Sequence, residues 1–405
     1  MVDRIPPDDG LPQLRRLLDP VEMAPLLARS LEPAAPVSQV KVRYLRYKPG
    51  TRLVVRYAVT VGDRTYDATA LAEPSADLAS WASDPEHLAL ARKVDGRAPT
   101  NTPLSYDTEV GALLQWLPLD LTMPVLAEEP ATLRGLLSSA GVDVAPDGDG
   151  PTILAYKARR RAVLALDGHV VKVYAGEADF ENAAIGLEFS ERLADVVVPA
   201  TEAILPSLQL TCQTLLAGRP PREHHAAALT AGSVLATLHR EPAGRLRPFP
   251  PVDQLASAWS SARSAAAVAP GLRRRLEKLM RGLEVATPED EDLVTAHGDF
   301  HANQVLELDG GLAVIDFDEM CAAPAALDFS SYVAHLVNGD RDELEAAARA
   351  LDELVAGYGI YPNGLSWYVA TSIVRRAPFP FRFMDDRWPE RIEQMVTDAD
   401  EALRL

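Results

Sequence analysis

The residues best suited to chemistry lie in one short stretch. His297-Gly298-Asp299-Phe300-His301-Ala302-Asn303-Gln304 is followed by Val314-Ile315-Asp316-Phe317-Asp318-Glu319. One carboxylate, an amide five residues on, and a second carboxylate seventeen residues on are linked by a short hairpin. Phosphoryl transfer asks for this set. One carboxylate accepts the proton of the attacking hydroxyl. The amide and the second carboxylate hold the metal that neutralises the triphosphate. His-Gly-Asp alone specifies little; the linked spacing specifies much more. His297 is expected to fix the loop by hydrogen bonding and His301 to order it.

These residues need elements to hold them. Residues 40–72 read as strands, rich in β-branched and aromatic side chains and split by the turns Lys48-Pro49-Gly50-Thr51 and Gly62-Asp63. Residues 152–174 repeat the pattern, with Asp167-Gly168 as a hairpin turn. Tyr47-Lys48-x-x-x-Arg52-x-Val54 matches Tyr156-Lys157-x-x-x-Arg161-x-Val163, an echo that points to two related sheet units. Only the second carries a lysine, Lys172, on its third strand. Glu177 to Ala194 has a helical period. Two further strands run up to Ala217-Gly218-Arg219-Pro220. The rest is mainly helical, over 223–241, 252–283, 325–356 and 364–405, interrupted by the short strands of 293–317. Sheet, hinge and helical part in this order suggest two lobes with a cleft between them.

The catalytic segment resembles the loops of the aminoglycoside phosphotransferase-like kinases, relatives of the protein kinases. By that resemblance Asp299 is the catalytic base and Asp316 the main Mg²⁺ ligand. Gln304 stands where most members carry Asn as a second metal ligand. The maltokinase and glucosamine-kinase branch is similar in using Gln there. Lys172, in His169-Val170-Val171-Lys172-Val173-Tyr174, matches the strand lysine that contacts the phosphates of ATP. Glu188, or else Glu181, would pair with it. Thr211 to Leu216, with Thr211 and Gln213, would form the hinge that contacts adenine. Asp328 fits a later aspartate that supports the catalytic loop. The resemblance covers roughly 152–400.

No Gly-rich phosphate loop of either common pattern occurs. Lys157-Ala158-Arg159-Arg160-Arg161 joins two strands where such a loop belongs, and Arg159 is a candidate phosphate contact. The competing reading is a solvated basic turn.

Length and composition bound the rest. A chain of 405 residues is too long for one core. The resemblance implies an α+β, two-lobed protein-kinase-like fold with an additional N-terminal α/β cap. The expected domains are a cap at 1–150, an N-lobe at 151–217 and a helical C-lobe at 218–405. The net charge of −18 argues against nucleic acid or an anionic membrane as the partner and is compatible with a cationic small substrate. Two cysteines without metal spacing argue against a disulfide framework or a zinc site. The N-terminal segment does not read as a secretory signal, and no apolar run is long enough to span a membrane. A cytoplasmic enzyme is expected. It would use ATP and Mg²⁺ to phosphorylate a hydroxyl of a sugar, amino sugar, aminoglycoside or other natural product. A kinase acting on Ser or Thr of a ribosomally made peptide, and a nucleotide-binding pseudokinase scaffold, are the alternatives.

Overall fold

The computed structural model describes residues 2–31, 36–193, 195–221, 227–289, 292–309 and 311–404. The expected helix start at 223 and Gly310 of the hairpin turn lie outside them. The chain divides into two compact units. The first comprises Met1–Glu177, Glu202–Cys212 and Phe381–Asp386; the second comprises the remainder.

The first unit is built on two five-stranded sheets. Strands β1 (Val37–Lys48), β2 (Arg52–Val61), β3 (Arg64–Ala72), β4 (Leu104–Asp107) and β5 (Ala112–Trp116) lie in the order β1-β2-β3-β5-β4. Strands β6 (Thr152–Lys157), β7 (Arg161–Leu166), β8 (His169–Tyr174), β9 (Thr201–Leu205) and β10 (Leu210–Thr214) lie in the order β6-β7-β8-β10-β9. The two orders are the same. The sequence echo is also an echo of register, since Lys48 pairs with Arg52 in the first hairpin and Lys157 with Arg161 in the second. On the third strand Val54 pairs with Leu71, whereas Val163 pairs with Lys172. Leucine thus stands in the first sheet where the second has its lysine.

Helices α1 (Leu14–Leu17), α2 (Pro20–Arg29), α3 (Leu78–Ser83), α4 (Pro85–Arg92) and α5 (Pro130–Ser139) accompany the first sheet. Their starts follow local chemistry: the side chains of Asp19, Asp77 and Asp84 cap α2, α3 and α4. Polar clamps tie the two sheets together. Asp120 accepts hydrogen bonds from the Tyr156 hydroxyl and the Arg159 backbone N–H, each at 2.9 Å. Arg56 forks onto Asp67 at 2.7 and 2.9 Å and donates to the Tyr156 carbonyl. Arg134 of α5, buried, holds Asp167 at 2.9 Å.

The second unit is mainly helical: α6 (Glu177–Ser190, all but its first residue), α7 (Ala228–Leu238), α8 (Pro251–Val268), α9 (Arg273–Val285), α10 (Ala326–Leu336), α11 (Arg341–Tyr358), α12 (Leu365–Arg376) and α14 (Trp388–Ala402). A short turn of helix, α13 (Phe379–Arg382), follows α12. Three helical runs read from the sequence are divided. Pro270-Gly271 separates α8 from α9. Gly339, at φ 81°, separates α10 from α11. Pro378 and Pro380 interrupt the last run. Two small hairpins complete the unit, β11 (Val294–Ala296) with β14 (Cys321–Ala323) and β12 (Val305–Leu308) with β13 (Gly311–Val314). Among the described residues no helix is long and apolar enough to cross a membrane.

Candidate active site

The loop bearing Asp299 and the turn bearing Asp316 are mounted on the same strands. β11 delivers the chain to His297, and β14 receives it after Glu319, with Ala296 opposite Cys321. The β12–β13 hairpin closes the other side, and the Ile315 N–H donates to the Gln304 carbonyl at 3.0 Å. The Asp299 loop and the Asp316 turn are thereby held at fixed spacing.

Asp328 organises the Asp299 loop from below. It is fully buried at the start of α10. Its carboxylate accepts the backbone N–H groups of His297 at 2.8 Å and Gly298 at 2.9 Å, and the His239 Nε2–H at 3.1 Å. His239 Nδ1 in turn accepts the Tyr358 hydroxyl at 3.0 Å. Burial raises the pKa of that hydroxyl, so it stays a donor. Gly298 has φ 82°, and a Cβ there would fall 2.0 Å from the Glu319 carbonyl oxygen. The middle residue of His-Gly-Asp must be glycine for this reason.

The histidines brace the loop as their sequence positions suggest. His297, buried, donates from Nε2 to the Ile315 carbonyl at 3.0 Å and so ties the loop to the Asp316 segment. His301 Nδ1 accepts the Asn303 N–H at 3.2 Å, capping the short turn Ala302–Gln304. His301 also stacks on His335 of α10, ring centroids 3.6 Å apart and planes at 23°. Asp299, His301 and His335 bring one ligand atom each within 4.8 Å of one another. The lone pairs of two nearly parallel rings lie in separate planes, and His301 Nδ1 is already engaged. The trio therefore suits a loop brace better than a metal centre.

Asp316 adopts a left-handed conformation, φ 67° and ψ 58°. That is costly for a residue with a side chain, and such strain gathers at functional positions. Its Oδ2 accepts the Gln304 amide at 3.1 Å. The two residues expected to hold metal are thus brought together. Their donor set is a carboxylate and a carboxamide, which suits a hard divalent ion once the amide turns its oxygen inward. Buried Asp318 faces α6, where the Asn182 side chain donates to its backbone carbonyl at 2.5 Å.

The remaining expected residues are distributed as follows. Lys172 is 5% exposed on β8 in the first unit. Glu181 and Glu188 are exposed on α6, and Glu188 pairs with Arg245 at 2.9 Å. Arg159 stands in a left-handed turn (φ 56°) with its guanidinium 5.4 Å from the Trp81 ring centroid. Thr211 and Gln213 are buried on β10, and Thr211 Oγ1 and Gln213 Nε2 find no hydrogen-bond partner among the described residues.

Sequence reading missed Arg375 and Arg376, which end α12. Arg375 Nη1 donates to Gln254 Oε1 at 2.8 Å. The Arg376 guanidinium lies 4.8 Å from the Phe379 ring centroid. Burial lowers the pKa of both, and that of Arg376 falls to about 10. Asp299 is the leading carboxylate opposing that shift at each.

A family model described as the phosphotransferase enzyme family matches residues 149–367, more than half of the chain. The chain belongs to this family. It is a kinase-type enzyme that phosphorylates an alcohol group, with an α+β, protein-kinase-like fold preceded by an N-terminal β-sheet domain. No curated protein is significantly similar to it in sequence. Among solved structures, a spectinomycin phosphotransferase in complex with ADP and spectinomycin is 14% identical, at a TM-score of 0.48 over 68% of this chain and 99% of that one. A choline/ethanolamine kinase family protein from Mesorhizobium loti is 13% identical, with a TM-score of 0.48 over 68% and 95%. A macrolide 2'-phosphotransferase from Brachybacterium faecium is 20% identical, with a TM-score of 0.43 over 66% and 97%.

Proposed function

We propose that this protein is a cytoplasmic enzyme that transfers the γ-phosphoryl group of ATP, with Mg²⁺, to a hydroxyl of a small polar molecule. The acceptor is a sugar, an amino sugar, an aminoglycoside or another natural product. The observation that carries the reading is the joint mounting of Asp299 and Asp316. Asp328 holds the first loop by two backbone N–H groups, and the Gln304–Asp316 hydrogen bond ties the loop's far end to the second carboxylate.

In this reading the Asp299 carboxylate orients the acceptor hydroxyl and takes its proton. The hydroxyl oxygen forms the new bond to the γ-phosphorus, the bond to the β–γ bridging oxygen breaks, and ADP leaves. Asp316 and Gln304 hold Mg²⁺, which when bound neutralises phosphate charge. Lys172 clamps the phosphates, with Glu188 or Glu181 as its partner on α6. Arg159 adds a phosphate contact where a Gly-rich loop is missing. Thr211 and Gln213 line the adenine end of the site, and their buried atoms without partners support a ligand there. Most of the rate enhancement comes from positioning and charge neutralisation.

The test is phosphate transfer from ATP and Mg²⁺ across a panel of sugars, amino sugars and aminoglycosides, with Asp299→Asn beside wild type. Transfer to one class, reduced about 10²- to 10⁴-fold in the variant, supports the reading. Mg²⁺-dependent ATP binding without transfer directs the search to a peptide acceptor. Neither binding nor transfer overturns it in favour of a scaffold.

A further inference from the structure

The turn Lys157-Ala158-Arg159-Arg160-Arg161 is held from outside. Arg159 at its centre has φ 56°. That left-handed conformation is costly for a residue with a side chain, and glycine is its usual occupant. The contacts that fix it come from the N-terminal sheet domain, and all lie within the first unit.

Asp120 is the centre of the arrangement. It follows β5 and is 1% exposed. Its Oδ1 accepts the Thr122 N–H at 2.9 Å and the Thr122 hydroxyl at 2.6 Å, which sets the carboxylate within its own loop. Its Oδ2 accepts the Tyr156 hydroxyl and the backbone N–H of Arg159, the strained residue itself. Burying a carboxylate is unfavourable unless donors surround it, and these four do. Arg56 holds the approach to the turn. Its Nη1 donates to the Tyr156 carbonyl at 3.0 Å, and its guanidinium lies 5.3 Å from the Tyr156 ring centroid. Asp67 fixes Arg56 in its place. Trp81 of α3 takes the other end of Arg159, its ring against the guanidinium. Backbone and side chain of Arg159 are thus both fixed.

A Gly-rich loop meets phosphate with bare backbone N–H groups, because glycine bends freely and carries no side chain. A turn of one lysine, one alanine and three arginines offers charged side chains instead, and ordering them on binding costs entropy. Fixing the backbone beforehand removes part of that cost. We propose that Asp120, Arg56 and Trp81 are positioning residues for the nucleotide, holding the 157–161 turn in its binding conformation before the phosphates arrive. The N-terminal sheet domain thereby supplies a fixed phosphate-covering turn in place of a flexible Gly-rich one. This rests on the phosphotransferase reading, in which that turn meets the phosphates, and deepens it.

The test compares full-length wild type, Asp120→Ala, Trp81→Ala and Trp81→Phe in calorimetric titrations with two probes, Mg·ADP and adenosine. Melting curves show whether each variant is folded at the titration temperature. Trp81 is only half-buried, so its variants keep the test decisive should Asp120→Ala fail to fold. The expected result is a Kd for Mg·ADP raised about tenfold by Asp120→Ala and about threefold by Trp81→Ala, with adenosine affinity unchanged. Trp81→Phe keeps a ring against the guanidinium and should recover most of the loss. An equal loss on both probes would make these contacts purely structural and overturn the proposal, as would no loss on either. A second measurement needs no ligand. Lys157, Arg159, Arg160 and Arg161 are each a trypsin site. Wild type should resist cleavage there, Asp120→Ala should be cut there first, and the fragment masses locate the cut. Equal rates of cleavage within the turn in the two proteins overturn the proposal. Failure of wild type to bind Mg·ADP is a different outcome: it removes the phosphotransferase reading, and this proposal with it.

Discussion

Gly186 of α6 lies so close to Phe317 that a Cβ on it would fall 2.1 Å from the Phe317 carbonyl oxygen. One turn earlier on the same helix, Asn182 donates to the carbonyl of Asp318. The helix therefore reads the turn that follows Asp316 through main-chain contacts. Gly186→Ala should displace that turn. Overpacking of this kind costs about 1–3 kcal/mol. The expected outcome is a lower denaturant midpoint together with a disproportionate loss of metal-dependent nucleotide binding. A variant with normal metal response would show that the turn does not depend on this contact.

The Asp328 carboxylate gives a second prediction. It accepts three hydrogen bonds, two of them on Oδ2. Asparagine offers one oxygen and one amide. His239 can change tautomer to accept from that amide, but the His297 or Gly298 N–H then loses its acceptor. Asp328→Asn should therefore cost about 1–3 kcal/mol from one buried donor left unsatisfied. It should also reduce transfer by loosening the Asp299 loop, although Asp328 touches no substrate. Urea unfolding and kcat, measured on the same preparation, check both halves.

Gln304 and Asp316 lend themselves to a graded test. Gln304→Glu places a second carboxylate beside Asp316 and should tighten Mg²⁺ while lowering selectivity against Ca²⁺, since extra carboxylate charge favours hard cations generally. Gln304→Ala removes the amide altogether. It should raise the Mg²⁺ concentration for half-maximal nucleotide binding about 10- to 100-fold. Metal titrations followed by ADP binding distinguish these outcomes. An unchanged titration in both variants would remove Gln304 from the metal site.

Much of the site was legible because its parts are short and local. Asp299, Gln304 and Asp316 stand in one segment whose hairpin is itself readable, and their spacing survives folding. Lys172 was legible from its strand, and the two-sheet echo from eight residues, because strand period and turn chemistry are local as well. Three things escaped. Arg375 and Arg376 lie in a run read only as helical, and no spacing links them to the Asp299 segment. Asn182 and Gly186 matter because they meet main-chain carbonyls of the turn after Asp316, and nothing in the sequence announces those partners. His239 and His335 are single histidines on helices, and their partners, Asp328 and His301, are remote in sequence. The helix breaks at Pro270 and Gly339 were written in the sequence but outweighed by the apolar period on either side.

The alkaline limb of stability follows from the buried thiols. Burial pushes the pKa of Cys212 and Cys321 from about 9 to about 12. The folded state thus holds each thiol proton more tightly than the unfolded chain does. Their stabilising contribution is complete below pH 9 and is lost as pH rises from 9 towards 12. Burial raises the Tyr57 and Tyr156 hydroxyls as well, so they act in the same direction. Arg376 has the opposite sign. Its depressed value, about 10, penalises the folded state while it is charged, and that penalty is relieved above pH 10. Only the thiols, with ordinary values near 9, begin to titrate below pH 10. Stability should therefore fall between pH 8 and pH 10 by about 1 kcal/mol per cysteine, from the ionisation of the unfolded thiols alone. Cys212 belongs to the first unit and Cys321 to the second, so both units should weaken. Urea midpoints at the two pH values, repeated for Cys212→Ser and Cys321→Ser, measure it. A midpoint independent of pH over this range would show that the thiols ionise in the folded protein and are not buried as described.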